Sequence, residues 1–282
     1  MPGLNLHLET FDIGERFASP EECVRHFIDA TLRAWDDSAN LVMFPEFCWM
    51  ALERFCSGPD VLGEVAALFW SRLWPELSRV LSVPGKAVVL GTVPFLNGSG
   101  DLRNRAPILS DGHELHQDKL HLTPWENAFR PGDTVQVWTF KENRLALCVC
   151  LDVEIPSLAV MLKPAGLDLL LVPSATEILL GVERVGRCAS ARAVELGCQV
   201  AVCHLLGKTD STLVDENVGR LSFYSSSQSA FAATDRVDEG ELLDSGHHTR
   251  RFVTDPAAVR AAREADFETN PSRVPAKTIR VE

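Results

Sequence analysis

Apolar residues along the chain gather in short runs bounded by turn residues, and longer stretches with helical spacing lie between the runs. The runs ANLVMFPE, KAVVLGTVPF, RLALCVCLD, LDLLLVPS and CQVAVCHLLG are continuous rather than alternating, as expected of strands buried on both faces. PEECVRHFIDATLRAWDD sets Cys23, Phe27, Ala30, Leu32 and Trp35 roughly along one helical face, with Ser19 before Pro20 as its N-cap. Residues 60–82 predict a second helical region that Pro75 kinks or breaks, and 156–166 and 181–197 predict two more helices. Strands alternating with helices indicate an α/β protein whose central strands are covered on both faces. Residues 94–118, with NGSGD and SDG, predict a meander of strands and tight turns. Beyond residue 207 the pattern weakens: GKTDSTLVDENVG reads as a surface loop and SQSAFAATDR as a strand and turn. The last 25 or so residues read as a polar tail wrapping the surface or a partner.

Composition narrows the functional classes. The 282 residues are 46% hydrophobic, enough for a large core, and no composition break divides them, so one domain over 1–282 is expected. The net charge of −12, from 27 basic and 39 acidic residues, argues against nucleic acid and anionic membranes as partners. The N-terminus lacks a basic segment followed by an apolar run, and no stretch reaches the ~18–20 apolar residues of a membrane span. A cytoplasmic location is expected. Most of the eight cysteines lie inside apolar runs, where a free thiol behaves as a small hydrophobe. There is no Cys-x-x-Cys pair, and Cys198, Cys203 and His204 lack zinc-ligand spacing, so neither metal nor cofactor is expected.

Three polar residues stand at the ends of apolar strands, where side chains can face a cleft outside the sheet. Glu46, in LVMFPEFCW, is either an ordinary solvated turn residue or a carboxylate kept in use at a buried strand end. Lys119, in HQDKLHLTPWE, has largely apolar neighbours that would desolvate its ammonium, although a surface lysine is the plainer alternative. Glu126, beside Trp125, has the same two readings. Cys150, in ALCVCLDVEIP, closes a strand and opens a turn, a geometry that lifts a nucleophile out of a sheet. Backbone N–H groups at such a turn can meet a developing oxyanion. Cys148 is expected to face the same side, deeper in the core, as a structural thiol. Lys119 is expected to lower the pKa of Cys150.

LVMFPEFCW, QDKLHLTPWE and LALCVCLDVEIP, in that order, resemble the Glu–Lys–Cys signature of the nitrilase, or carbon–nitrogen hydrolase, superfamily. LVPSATE and GRCASARAVELGCQVAVCHLLG resemble two further blocks, and the likeness covers roughly residues 5–235. The pairing of Pro-Trp-Glu with Asp-Val-Glu is similar to a bacterial branch whose members can be fused to an acetyltransferase-like domain, which is not expected within these residues. The resemblance implies a four-layer αββα sandwich that pairs into a homodimer through helices. The small residues Gly186, Ala189, Ser190 and Ala193 are read as allowing that close approach. It implies Cys150 as nucleophile, Glu46 as base then acid, Lys119 with a backbone N–H near Leu151 as oxyanion stabiliser, and Glu126 as a second glutamate orienting the lysine. The expected substrate is a small amide, cleaved through a thioester. A nitrile, an N-carbamoyl compound or an idle binding role on the same fold are the alternatives. The family's usual aromatic after the cysteine is Leu151 here, and Thr176 and Glu177 follow Pro173-Ser174 where an aromatic is frequent. Leu151, Ser174, Thr176 and Glu177 are therefore the expected substrate-binding positions.

Overall fold

The computed structural model describes residues 3–231 and 236–265. The chain opens with β1 (Asn5–Glu9), β2 (Phe11–Asp12), α1 (Pro20–Asp36) and β3 (Leu41–Phe44). A 3-10 turn (Cys48–Phe55) leads to α2 (Val61–Leu68), a π turn (Phe69–Leu73) and α3 (Trp74–Leu81). The meander follows as β4 (Ala87–Leu90), β5 (Val93–Leu96), β6 (Leu102–Ser110) and β7 (His113–Asp118). The second half runs β8 (Val137–Phe140), β9 (Asn143–Leu147), α4 (Pro156–Leu162), β10 (Leu169–Ser174), α5 (Leu179–Leu196) and β11 (Gln199–Lys208). It continues through β12 (Glu216–Asn217), β13 (Leu221–Tyr224), β14 (Val237–Glu239) and β15 (Thr249–Val253) to α6 (Pro256–Glu264).

Two sheets result. One has the order β15-β1-β3-β4-β6-β5 with β7 beside β6; the other has β14-β13-β11-β10-β9-β8, with β2 and β12 on β11. The centres of both are parallel: β1 with β3 and β4, and β9 with β10 and β11. Strand alternation then sorts the side chains into layers. Leu41, Met43, Ala87 and Val89 of the first sheet join Leu145, Leu147, Leu171 and Ala201 of the second in one core. Val42, Phe44, Val88 and Leu90, one residue out of phase, pack instead with Phe27, Leu73 and Leu77 from the helices outside the first sheet. Leu158, Leu162, Val185, Ala189 and Ala193 bring α4 and α5 onto the outer face of the second sheet. The arrangement is the four-layer αββα sandwich expected from the resemblance.

α1 starts as its cap predicts: Ser19 Oγ accepts from Glu22 N at 3.2 Å, and Pro20 needs no N–H partner in the first turn. Leu32 is an exception to the expected face and lies exposed, because the buried stripe runs through Val24, Phe27, Ile28, Thr31, Ala34 and Trp35. The break near Pro75 is real, but the proline sits in the first turn of α3, where its ring is tolerated, and the π turn before it absorbs the mismatch. Gly186, Ala189 and Ala193 pack α5 against its own sheet: a Cβ at Gly186 would lie 2.9 Å from Tyr224 Oη. They do not form the outward seam expected of a dimer contact. The exposed apolar side chains of α4 and α5 are instead Val160, Met161, Leu179 and Leu180. The expected strand in SQSAFAATDR falls one segment earlier, at β13; residues 227–231 form a turn and 232–235 lie outside the described residues. The polar tail begins as α6, while 266–282 also lie outside them. Among the described residues, no helix is long and apolar enough to cross a membrane.

Candidate active site

The strand ends expected to carry chemistry meet in one place. Glu46 follows β3, Cys150 follows β9 and Ala175 follows β10, all at the carboxyl ends of parallel strands, where open α/β sheets leave a crevice. Asn104 enters from β6, Lys119 from the residue after β7, and Glu126 from a 3-10 turn at Pro124–Glu126. Glu46 is held by its flanks: Phe47 takes a left-handed φ of 57° and its N–H donates to Thr92 Oγ1 at 2.9 Å. The chain at Gly91 approaches so closely that a Cβ there would lie 2.1 Å from Pro45 O, so this turn requires glycine.

Lys119 Nζ donates to Glu46 Oε1 at 2.8 Å and to Glu126 Oε2 at 2.7 Å. Asn104 Nδ2 bridges the same two carboxylates, 3.0 Å from Glu46 Oε1 and 3.0 Å from Glu126 Oε1. Ala175 N donates to Glu46 Oε2 at 3.0 Å, and Thr123 N and Oγ1 donate to Glu126 Oε2 at 2.9 and 3.0 Å. Glu46, Lys119 and Glu126 are each no more than 2% exposed. A buried carboxylate is costly unless its lone pairs are satisfied, and every oxygen of Glu46 and Glu126 meets at least one donor.

Cys150 has φ of 47°, in the left-handed region that costs a non-glycine residue about 1–3 kcal/mol unless its surroundings impose it. The imposing group is Asp152. Its carboxylate accepts from Val149 N at 3.1 Å, from Leu120 N at 3.2 Å, and from His121 N at 2.7 Å. It thereby ties the cysteine turn to the strand end that bears Lys119. Arg192, from α5, adds a bond from Nε to Val153 O at 3.0 Å. The Cys150 thiol donates to Ala175 O at 3.5 Å. Cys148 lies wholly in the core, as expected of a structural thiol.

Charge and burial set the proton affinities. Burial raises Glu46 most strongly; Lys119 opposes it, Glu126 adds to it, and the balance lies at about 7. Burial alone would lower Lys119, but Glu46, Glu126 and Cys150 outweigh it and keep the ammonium charged. Cys150 is pushed up, by burial first and Glu46 second, against the opposing pull of Lys119. This reverses the expectation of a lowered thiol pKa. The lysine's charge is already spent on two carboxylates, so the thiol meets a net negative neighbourhood.

A cavity of about 250 Å³ opens onto this cluster, and Glu46, Lys119, Glu126 and Cys150 all line it. Of the expected substrate positions, Leu151, Thr176 and Glu177 line it, whereas Ser174 does not: it is fully buried at the end of β10. Strand alternation explains the difference, since Ser174 ends the buried strand and only the chain beyond it turns to the cavity. Asn104, Asp152, Glu154, Arg184 and Asn217 were not anticipated as site residues. Asn104 interrupts the run LRNRAPILS as a lone amide and was the readable signal, while Arg184 and Asn217 come from segments with no distinctive pattern.

Comparisons with known proteins agree with this architecture. The family model described as carbon-nitrogen hydrolase matches residues 12–235. A Bacillus subtilis (strain 168) protein named "Probable hydrolase YhcX" is 28% identical over 203 residues, 70% of this chain and 38% of that protein. The chain thus spans about two fifths of that relative's length. An amidase from Nesterenkonia sp. superposes with a TM-score of 0.70 at 23% identity, covering 92% of this chain and 93% of that one. A glutamine-dependent NAD+ synthetase from Acinetobacter baumannii gives 0.66 at 16% identity, over 89% of this chain but 45% of the synthetase. Identities this low speak for the fold alone.

Proposed function

Because the chain belongs to the carbon–nitrogen hydrolase family, we propose that it hydrolyses a small amide through a thioester on Cys150, releasing ammonia or an amine. One observation carries this reading: a thiol, a carboxylate of pKa about 7 and a charged lysine converge in one cavity at the strand ends. The thiol is neutral at rest, so attack and proton transfer go together. Cys150 gives its proton to Glu46 as sulfur bonds to the carbonyl carbon, and the C=O electron pair moves to oxygen. Lys119 has three N–H donors, two of them committed to Glu46 and Glu126, and the third is left for the oxyanion. Collapse of the intermediate breaks the C–N bond, and the leaving nitrogen takes the proton back from Glu46. Water, deprotonated by Glu46, then attacks the thioester and releases the acid and the thiol. Glu126 and Asn104 hold the lysine and the base in place throughout.

The cavity wall away from the thiol narrows the choice of amide. Arg184 is already paired with Glu154 at 3.0 Å, and Glu177 stands exposed beside them. The surplus is negative, which favours amides with a neutral or cationic remote group over those bearing a carboxylate. The test is ammonia and acid release from a panel of short primary amides, nitriles and N-carbamoyl amines, with Cys150→Ala as control. The expected result is release from an uncharged or cationic amide that vanishes in the variant. Release that survives Cys150→Ala would contradict the mechanism, and faster release from nitriles would replace the amide as substrate.

A further inference from the structure

We infer that Glu15, His26 and His247 form a binding site for one divalent cation of the zinc class, separate from the catalytic cavity. None of the three lines that cavity. They come from three distant segments: the turn after β2, the body of α1, and the loop leading into β15. One ligand atom from each lies within 4.8 Å of the other two. A modest closure about a metal would bring such a set to the ~2.0–2.2 Å bonds of zinc.

Two features point beyond chance proximity. His26 Nε2 is shielded from solvent and has no hydrogen-bond partner among the described residues. An orphaned buried nitrogen is costly, and a metal would satisfy it. The second feature is the orientation of His247. Its Nδ1–H donates to Thr10 O at 3.4 Å and its Nε2 is already paired with Glu15 Oε2, so a cation that displaces the shared proton finds both ligand atoms oriented. Holding one ring nitrogen on a backbone carbonyl is how proteins orient a ligating histidine. The backbone of this loop is fixed without help from a metal: Gly246 N donates to Asp12 Oδ2 at 2.6 Å and Thr10 N to His248 O at 2.9 Å. The site is therefore largely preformed.

The surroundings suit a neutral imidazole. Phe11, Phe17 and Phe27 pack around His26 with ring centroids 5.5–5.7 Å away. Two imidazoles and one carboxylate select zinc, cobalt or nickel over magnesium or calcium, which prefer all-oxygen shells. The exposed side of His247 leaves a fourth position for water. A cation there would staple the loop before β15 to α1, where the His26 and His247 rings already touch at 4.7 Å between centroids.

The experiment is a titration of the whole, chelator-treated protein with Zn²⁺ alone, followed by native mass spectrometry and thermal melting. One equivalent is expected to bind and to raise Tm by roughly 2–4 °C or more. His247→Ala and Glu15→Gln, both at the surface, should each weaken binding at least ~10-fold and abolish the Tm rise. Their metal-free far-ultraviolet spectra should match that of the parent, and if one variant unfolds the other carries the test. Co²⁺ in place of Zn²⁺ should give visible bands without the near-ultraviolet thiolate band. No bound equivalent, binding undiminished in both variants, or a thiolate band would overturn the site.

Discussion

Two buried clusters in this molecule are built from three charges each, with opposite arithmetic. In the candidate active-site cavity one lysine, Lys119, lies between two glutamates, Glu46 and Glu126. At the start of β10 one aspartate, Asp168, lies between two arginines of α6: Arg260 Nη2 donates to it at 2.6 Å and Arg263 Nη2 at 3.0 Å. Burial acts to raise both Glu46 and Asp168, yet the outcomes diverge. Bonds from Arg260, from Arg144 N and from Arg263 outweigh burial at Asp168 and hold it below the ordinary range. At Glu46 the single ammonium is shared, Glu126 adds repulsion, and the carboxyl rises to about 7. The sign of the surplus charge decides the use. A carboxylate with surplus cations around it is locked ionised and can only clamp. A carboxylate that must share one cation keeps enough proton affinity to take and return a proton near neutrality.

Exchanging the oxygen for nitrogen in each cluster separates these uses most sharply. Glu46→Gln should lower kcat/KM by about 10²–10⁴ while the melting temperature changes little, because the proton relay is lost and the packing is kept. Asp168→Asn should do the reverse. Turnover per folded molecule should persist, and stability should drop by about 3–5 kcal/mol, the usual cost of breaking a buried ion cluster. Parallel assays and thermal melts on both variants check the contrast, and equal effects in both would erase it.

Lys119→Ala comes next in size. If the ammonium acts on the oxyanion, kcat should fall by ~10²–10³ with KM nearly unchanged, and Lys119→Arg should rescue poorly. A rise in KM at constant kcat would make the lysine a ground-state binder.

The pH responses should also part. If Glu46 is the base it acts once ionised, so kcat/KM should climb as pH rises through about 7. Its folded pKa is raised, so its contribution to stability is full below the unfolded value near ~4.3 and is lost as pH rises through about 7. Asp168 is depressed, so its contribution is present above the unfolded value near ~3.9 and disappears as pH falls below that. Rate profiles and melts between pH 3 and 9, a range of about six units around these values, resolve the two. The smallest expected effect is at the cavity wall. Glu177→Gln should shift the preference between a cationic and a neutral amide by only a few-fold, roughly 1 kcal/mol or less.

The parallel strands and the candidate triad were legible because each follows from a strong local signal. Leu41–Phe44, Leu169–Ser174 and Gln199–Lys208 are continuous apolar runs, and Glu46, Lys119 and Cys150 stand at or beyond strand ends within ordered motifs. What was not legible depends on partners far away in sequence. β1 and β15 are weakly patterned and become strands by pairing with each other and with β3. Asp152 reads as a turn residue until the Lys119 strand end is seen to rest on it. The raised pKa of Cys150 runs against the sequence expectation for the same reason: its burial, and the carboxylates that share the charge of Lys119, are visible only in three dimensions.

The most direct test of the catalytic account is to mix the protein with a turned-over amide, quench in acid within the first turnovers, and measure intact mass followed by peptide mapping. The account predicts a transient acyl adduct, equal to the amide's acyl group in place of one hydrogen. It should map to Cys150, be absent in Cys150→Ala and accumulate when the second half-reaction is slowed. An adduct on Cys148, or full turnover by Cys150→Ala, would contradict it.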